Sequence, residues 1–522
     1  MSKSDSLFRL IKSMSKSEKR NFKIFASRHV IGEKNNYVAL FDAIDKQLEY
    51  DEKQILQKFK GNKLAKNISS VKVQLNNLIL RSLRQFNSGH KKKYDVRQLL
   101  DYADIFYEKG MYVEARKMLQ KAQKIAKEYD QYVHLDEISI LERDIAHKLG
   151  DLEGILYQIN IVYPELKQIR ATNEDLATYE QLISRIEAFN LKGRRINYKV
   201  NRDELEEIVN HELLHVKNID AEPYAIQIDF HTVWGYYHRL LENRKEAVFH
   251  RKKILELLES KPQLVVDSPK LWIKHAKNLL ITLGHFDMYE DFDDTVILIE
   301  DFISKIPDSK KTINLNSEIY STIYNVTLDM DLDRGVFSKS VIKANKIVEG
   351  LEKYKMQLTP QEDILLNVNL AYVYLGAGEY SKALKWTNNG LNTNYGEIRK
   401  DLQSFCRMIN IIIHYELGNY MLIDSLIRST DRYLQKENRK FEFEKSFLKF
   451  AKKHLQEKYN ISKLDAFEKQ IEEIEDICKD PFEAKALMYF DSISWLETKT
   501  KGKTMEELMV PKAKDVKPFQ KR

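Results

Sequence analysis

Residues 99–122 read LLDYADIFYEKGMYVEARKMLQKA, a pattern of two amphipathic helices joined by a tight turn. In the first half, apolar or small residues recur at i, i+3, i+4 and i+7, which places them on one helix face: Leu99, Tyr102, Ala103 and Phe106. Gly110 is expected to end this helix, because glycine takes the left-handed backbone conformation without strain. The second half carries a packing stripe of small and apolar residues: Ala115, Leu119 and Ala122.

Residues 370–391 read LAYVYLGAGEYSKALKWTNNGL and repeat the same order of residue types. Each stretch has a small residue, an aromatic residue, a turn glycine, a second aromatic residue and then an alanine. This pattern resembles the tetratricopeptide repeat (TPR), a helix–turn–helix unit of about 34 residues. Its signature positions are occupied in the first stretch by Ala103, Phe106, Gly110, Tyr112, Ala115 and Ala122. In the second stretch they are occupied by Ala371, Tyr374, Gly378, Tyr380 and Ala383.

Weaker copies of the pattern extend the resemblance to residues 95–455, with about eight degenerate repeats. Their turns are predicted at Gly150, at Gly193, near Glu242-Asn243, near Glu290-Asp291, near Asp333–Gly335 and at Gly418. The resemblance implies an all-α fold in which the repeats stack into a right-handed superhelix, because no single hairpin can bury its own apolar face. It also implies a concave surface that holds a peptide or a helix of a partner protein.

Composition and charge agree with an all-α chain of several parts. Only 17 of the 522 residues are Gly and 9 are Pro, which excludes a disordered, collagen-like or turn-rich all-β chain. Residues 1–94 carry a net charge of +13, residues 95–498 carry −11 and residues 499–522 carry +5. We therefore expect a basic helical head, an acidic repeat body and a basic tail.

The head, residues 1–94, is expected to form short helices, the first of which follows a capping box at Ser15–Glu18. Two interpretations stay open. The head is either a bundle that caps or dimerises the repeats, or a helix-turn-helix domain that contacts nucleic acid. The candidate phosphate contacts for the second interpretation are Lys72, Arg81, Arg84, Lys91, Lys92 and Lys93.

At the other end, residues 456–498 are predicted to form capping helices that carry Phe490 and Trp495. Residues 499–522 contain two prolines among lysines, and we expect a disordered basic tail.

Residues 211–215, His-Glu-Leu-Leu-His, match the H-E-x-x-H pattern of zinc peptidases. On a helix this spacing places His211 and His215 on one face for Zn²⁺, with Glu212 as a base for metal-bound water. A third ligand would have to come from Glu242 or Glu246, which fall at a predicted repeat turn. A surface or packing role for these histidines is the favoured interpretation, and a zinc hydrolase is a remote alternative.

No other motif indicates catalysis or a cofactor, so the leading hypothesis is a non-enzymatic scaffold that binds a partner protein through the concave face of its repeats. The second hypothesis is a regulator whose head binds nucleic acid while the repeats sense a partner. Two isolated cysteines and the lack of a signal-like N-terminus lead us to expect a cytoplasmic protein without a membrane segment. The oligomeric state is left open.

Overall fold

The computed structural model describes residues 3–27, 36–61, 63–87, 91–192, 198–354 and 357–515. Within these ranges all regular structure is helical, and no strand occurs. The predicted all-α class is therefore confirmed for the described part of the chain. Contacts divide the chain into two units, each of which is described by itself. Unit 1 comprises Met1–Asp175, Leu258–Pro269 and Ile306–Asn316, and unit 2 comprises Leu176–Leu257, Lys270–Lys305 and Ser317–Arg522.

The helices follow one another with short connections. The first eleven are α1 (Lys3–Ser13), α2 (Lys16–Ser27), α3 (Asn36–Asp45), α4 (Glu52–Lys58), α5 (Lys63–Lys66), α6 (Ile68–Asn87), α7 (Lys92–Glu108), α8 (Tyr112–Glu128), α9 (Tyr132–Leu149), α10 (Leu152–Tyr157) and α11 (Tyr163–Lys192). A π-helical segment, Gln158–Val162, joins α10 to α11.

The middle of the chain contains α12 (Tyr198–Val209), α13 (Tyr224–Leu240), α14 (Arg244–Ser260), α15 (Pro262–Asp267), α16 (Pro269–His285), α17 (Tyr289–Lys305), α18 (Ile313–Tyr320), α19 (Thr327–Asp333) and α20 (Phe337–Tyr354). The last part contains α21 (Pro360–Gly376), α22 (Tyr380–Asn392), α23 (Lys400–Glu416), α24 (Tyr420–Lys436), α25 (Glu442–His454), α26 (Leu464–Ile477), α27 (Pro481–Ala484), α28 (Ser492–Lys501) and α29 (Met505–Asp515). Short 3₁₀ turns at Glu212–Leu214, Ile219–Ala221, Asp308–Lys310 and Ile461–Lys463, and a π-helical segment at Ser321–Val326, complete the described elements.

The head of unit 1 is a small bundle of α1 to α6 with its own apolar core. Phe22, Phe41 and Ile79 are fully buried at its centre, and the rings of Phe22 and Phe41 lie 4.6 Å apart. The predicted capping box is present. The Glu18 carboxylate accepts a hydrogen bond from the Ser15 N–H at 2.7 Å, and the Ser15 hydroxyl accepts one from the Glu18 N–H at 3.2 Å.

Beyond the head, successive helices form repeated helix–turn–helix pairs of the kind found in α-solenoids. In unit 1, α7 packs on α8 and α8 packs on α9, and in unit 2 the same holds along α21, α22, α23 and α24. The signature alanines lie at these contacts, fully or almost fully buried: Ala103, Ala115, Ala122, Ala371 and Ala383. Tyr374 is also buried, whereas Phe106, Tyr112 and Tyr380 are partly buried at the edges of the cores.

One backbone motif ends many of these helices. A residue with φ between 50° and 76° follows the helix, and the next N–H donates to a carbonyl five residues earlier, as in a Schellman motif. Among the residues that the structure describes, five such positions are glycines, all at predicted turns: Gly110, Gly150, Gly335, Gly378 and Gly418. In the same ranges four are not glycine: Asp130, Glu242, Asp287 and Asn438. The turn predicted near Glu290-Asp291 therefore occurs slightly earlier, at Asp287, and the one predicted at Gly193 lies outside the described residues.

The C-terminus differs from the predicted disordered tail. Residues 505–515 form α29, and Met505, Leu508 and Met509 are buried. Thr504 caps this helix, since its hydroxyl accepts from the Glu507 N–H at 3.2 Å. The apolar residues at i, i+3 and i+4 after this cap lie on one face of α29, and their burial stabilises the helix. The last seven residues, 516–522, lie outside the described part.

Candidate functional site

A face that binds a partner protein requires a row of helices with one side accessible to solvent. We call the first helices of successive hairpins the first-helix row. In unit 2 the name is used for the C-terminal part of the row, α19, α21 and α23, in which α21 contacts both of the others. In unit 1 it consists of α7 and α9, which also contact each other. The binding surface that the sequence predicts stays a prediction, and these two rows are the candidates for it.

The first-helix row of unit 2 is covered by the end of its own chain. The ring of Phe490 lies 5.1 Å from that of Tyr372 in α21, and the Asp491 N–H donates to the Tyr372 hydroxyl at 3.2 Å. Further along, the indole N–H of Trp495 donates to the Glu416 carboxylate in α23 at 2.7 Å. As a result α21 is buried on nearly every side, with most of residues 364–375 inaccessible to water. This face has no room for a partner unless residues 489–509 leave it.

A buried ionic cluster holds the start of this covering segment in place. The hydroxyl of Tyr489 donates to Asp401 at 2.6 Å, and the guanidinium of Arg399 donates to the same carboxylate at 2.8 Å. Burial raises the pKa of Asp401, but the charge of Arg399 and these hydrogen bonds outweigh it and hold the pKa at about 2. Asp401 is therefore ionised at neutral pH and binds Tyr489 as a carboxylate.

The first-helix row of unit 1, in contrast, is open and acidic. Asp104 and Glu108 of α7 and Glu137 of α9 are exposed on adjacent helices. Partial burial and the nearby charges of Glu137 and Glu108 raise the pKa of Asp104. Among the described residues no lysine or arginine forms an ion pair with Asp104 or Glu108, whereas the Glu137 carboxylate lies 3.5 Å from Nδ1 of His134. Val133, one helical turn before Glu137, is 72% exposed. This face therefore combines carboxylates that lack a lysine or arginine partner with apolar surface.

The basic residues predicted to contact nucleic acid are divided between α6 and the start of α7. Lys72 pairs with Glu52 at 2.9 Å, lies 5.3 Å from the Tyr50 ring, and has a side chain only 11% exposed. This lysine holds two elements of the head together, so its charge is already neutralised. Arg84 likewise pairs with Asp101, whereas Arg81 is exposed.

The three lysines at the end of the head belong to the first turn of α7. Lys91 is its N-cap residue, Lys92 pairs with Asp95 at 3.3 Å, and Lys93 lies 5.2 Å from the ring of Tyr94. A phosphate would have to displace carboxylates from Lys72, Arg84 and Lys92. The nucleic-acid role of the head therefore stays a prediction.

The H-E-x-x-H segment is not on an α-helix, so the placement that the zinc alternative requires is wrong. Helix α12 ends at Val209, and His211 is the N-cap of the 3₁₀ turn Glu212–Leu214, where its Nδ1 accepts from the Leu213 N–H at 3.3 Å. A 3₁₀ turn has three residues per turn, so residues four apart do not share a face. Within the described ranges no group of three or more His, Cys, Asp or Glu side chains is arranged to hold a metal ion.

Three histidines form a cluster between α13 and α14 in unit 2. The Nδ1 atoms of His231 in α13 and His250 in α14 lie 2.8 Å apart, and the ring of His238 stacks on His250 with centroids 5.6 Å apart. Burial lowers the pKa of His231 to about 4 and that of His250 to about 3. Both imidazoles are thus neutral at pH 7, and one Nδ1 donates to the other.

Arg251, next to this cluster, is 1% exposed, and its guanidinium lies 4.1 Å from the ring of Tyr236. Burial lowers the pKa of Arg251 to about 10. His231 and His238 are seven residues apart in the sequence and so share a face of α13, but nothing in the sequence connects that face with His250 and Arg251 on the next helix.

No protein-family model matches the chain, and no curated protein matches it. A search of the described helices for membrane-spanning candidates found none of sufficient length and apolar character.

Proposed function

We propose that this protein is a non-enzymatic scaffold built of TPR-like repeats, which binds a partner protein through the first-helix row of unit 1. The signature residues of the TPR resemblance lie at helix contacts and turns, which supports the family interpretation and the right-handed stacking that it implies. A cytoplasmic location, with no cofactor, is part of the proposal. The proposed binding face is limited to unit 1, because in unit 2 the first-helix row is covered by residues 489–509.

The carboxylates of Asp104, Glu108 and Glu137 are the observation that carries the proposal. Partial burial, together with the nearby charges of Glu137 and Glu108, raises the pKa of Asp104, so the ionised form of this carboxyl is disfavoured in the free protein. A partner that brings lysine or arginine to this face would favour the ionised form and gain charge-assisted hydrogen bonds. We therefore propose a basic peptide segment as the ligand, with an apolar residue that covers Val133.

Charge reversal on this face tests the proposal. The full-length chain and its Asp104→Lys/Glu137→Lys variant are immobilised, and proteins captured from lysate of the native cell are compared by quantitative mass spectrometry. We expect a basic partner to be captured by the wild type and reduced at least about tenfold by the variant, because each like charge at an interface costs on the order of 1 kcal/mol or more. Capture should also weaken as salt is raised, since exposed charges are screened.

The matched control is Glu472→Lys/Glu473→Lys, which makes the same change of charge at two exposed positions of α26 in unit 2. This variant should capture the partner as the wild type does. Equal loss in both variants would show that net charge rather than this face governs capture. Equal capture by wild type and the Asp104→Lys/Glu137→Lys variant would refute the proposed face.

A further inference from the structure

A second surface of unit 1 is apolar rather than charged. Leu152, Leu156 and Ile159 recur at i, i+4 and i+7 along α10 and the π-helical segment, and they are 68%, 47% and 53% exposed. Tyr163 continues the stripe four residues later, while Tyr157 and Ile161 widen it on one side. We call these six residues the 152–163 stripe. Gln158 and Val162 of the π-helical segment are buried, so this segment packs through those two residues and leaves the side chains of the stripe exposed.

Five of the six stripe residues belong to an uncharged run in a highly charged chain, and Leu152 precedes that run. Residues 154–164 contain no Asp, Glu, Lys or Arg, although such residues make up 31% of the sequence. The uncharged run 364–378 in α21 offers a comparison, because it is buried under the C-terminal segment of unit 2. The 152–163 stripe has the composition of a covered surface, yet within the described part of the chain its side chains are exposed.

The area of the stripe is large enough for a stable interface. The exposed fractions of these six residues amount to roughly 600 Å², which is at the upper end of the ~300–600 Å² of the largest apolar patch on a typical monomer. A standard protein–protein interface buries ~800 Å² on each partner. The stripe and the polar atoms at its margin can supply that amount.

We propose that the 152–163 stripe is a self-association surface, on which the same stripe of a second copy of this chain docks. Leu152 and Leu156 lie one turn apart on α10, and Ile159 and Tyr163 lie four residues apart across the π-helical segment, so a helix of the second copy can lie along them. An uncharged seam can meet itself about a twofold axis without burying an unpaired charge, as an isologous interface requires. A basic partner, in contrast, has no carboxylate to bind in residues 154–164. This inference does not depend on the acidic face of α7 and α9, so either can fail alone.

The molar mass in solution tests this inference. Light scattering on the full-length chain should give twice the 61.7 kDa of one copy. The Leu156→Lys/Ile159→Lys variant should give a single copy, with unchanged helical circular dichroism because both side chains are exposed. The matched control is Met421→Lys/Leu422→Lys, which places two lysines at exposed apolar positions of α24, 96% and 49% exposed, and should leave the mass doubled.

A complementation experiment distinguishes this surface from any other route to a dimer. The Leu156→Glu/Ile159→Glu variant should also be a single copy, but an equimolar mixture with the Leu156→Lys/Ile159→Lys variant should regain the doubled mass. Opposite charges then face each other across the seam, whichever direction the two helices run. A wild type with the mass of one copy, or lysine and glutamate variants that keep the doubled mass, would overturn the proposal.

Discussion

The Trp495→Ala substitution examines whether the C-terminal segment is an integral part of unit 2. Trp495 is 2% exposed, its ring meets that of Tyr415 edge-on at 6.1 Å, and its indole N–H donates to Glu416. If this packing covers the first-helix row, removing the indole leaves a cavity between α28 and α23. The free energy of unfolding of unit 2 should then fall well beyond the effect of a surface change.

The expected loss is about 3–5 kcal/mol, which is the usual cost of truncating a buried tryptophan. Most of it is apolar packing, because Glu416 keeps the ammonium of Lys499 at 2.6 Å after the indole is gone. Trp495→Phe retains much of the apolar volume and loses one hydrogen bond, so it should cost less, on the order of 1 kcal/mol for that bond. At roughly 2 °C per kcal/mol for a large domain, the alanine variant should melt about 6–10 °C lower.

Tryptophan fluorescence makes the measurement specific, because all four tryptophans belong to unit 2: Trp234, Trp272, Trp386 and Trp495. The three that stay in the variant report the thermal and urea unfolding of this unit alone. Lys501→Ala, at a side chain that is 53% exposed, is the surface control and should change the melting temperature little. A shift of less than about 2 °C for Trp495→Ala, within what small surface changes produce, would refute the packing argument and reopen the unit 2 face as a binding site.

Two further predictions use the same fluorescence signal. Gly376→Ala would drive a Cβ into the ring of the fully buried Phe337 and should lower the free energy of unfolding by about 1–3 kcal/mol. Gly378→Ala should cost less, because the space around its Cβ is open and the strain at φ +76° is roughly 1 kcal/mol. If Gly378→Ala proved the more destabilising of the two, the packing described for α21 would be contradicted. Acidification should destabilise unit 2 between about pH 6.5 and pH 4. The pKa of His231 is lowered to about 4 and that of His250 to about 3, so the unfolded chain binds protons in this window before the folded chain does. A His231→Phe/His250→Phe variant should show a weaker pH dependence of its melting temperature, and an equal dependence would exclude the pair as its cause.

Much of the fold could be predicted because its signals are local. Gly110 and Gly378 mark turns because the left-handed backbone is cheapest for glycine, and the alanines at Ala103 and Ala383 mark close helix contacts. The same reasoning did not predict the turns at Asp130 and Asn438, because these residues are not glycine. Both take the left-handed conformation at a modest cost that the rest of the turn offsets. It also missed α29, although the Thr504–Glu507 capping box and the apolar positions behind it were readable in the sequence.

The candidate sites were less predictable because they depend on residues far apart in the chain. His211 and His215 match a metal motif by spacing, but the α-helix that would align them ends at Val209. The sequence predicts Lys72 as a phosphate contact, but in the fold its ammonium forms an ion pair with Glu52. In both cases the residue types suit the predicted chemistry. The histidines are not aligned because the backbone leaves the α-helix, and the charge of Lys72 is neutralised by a residue distant in the sequence.

The sequence by itself determined the all-helical class, the repeated hairpins and the positions of many turns, because periodicity, small residues and glycine act within about one turn of a helix. Only the tertiary structure decided which helix faces are covered and which are open. Residues 489–509 cover α21 and α23 in unit 2, whereas Asp104, Glu137 and the 152–163 stripe are exposed in unit 1. The physical reason is that burial depends on which distant segment packs against a face. An amphipathic pattern marks a face for contact without specifying its occupant.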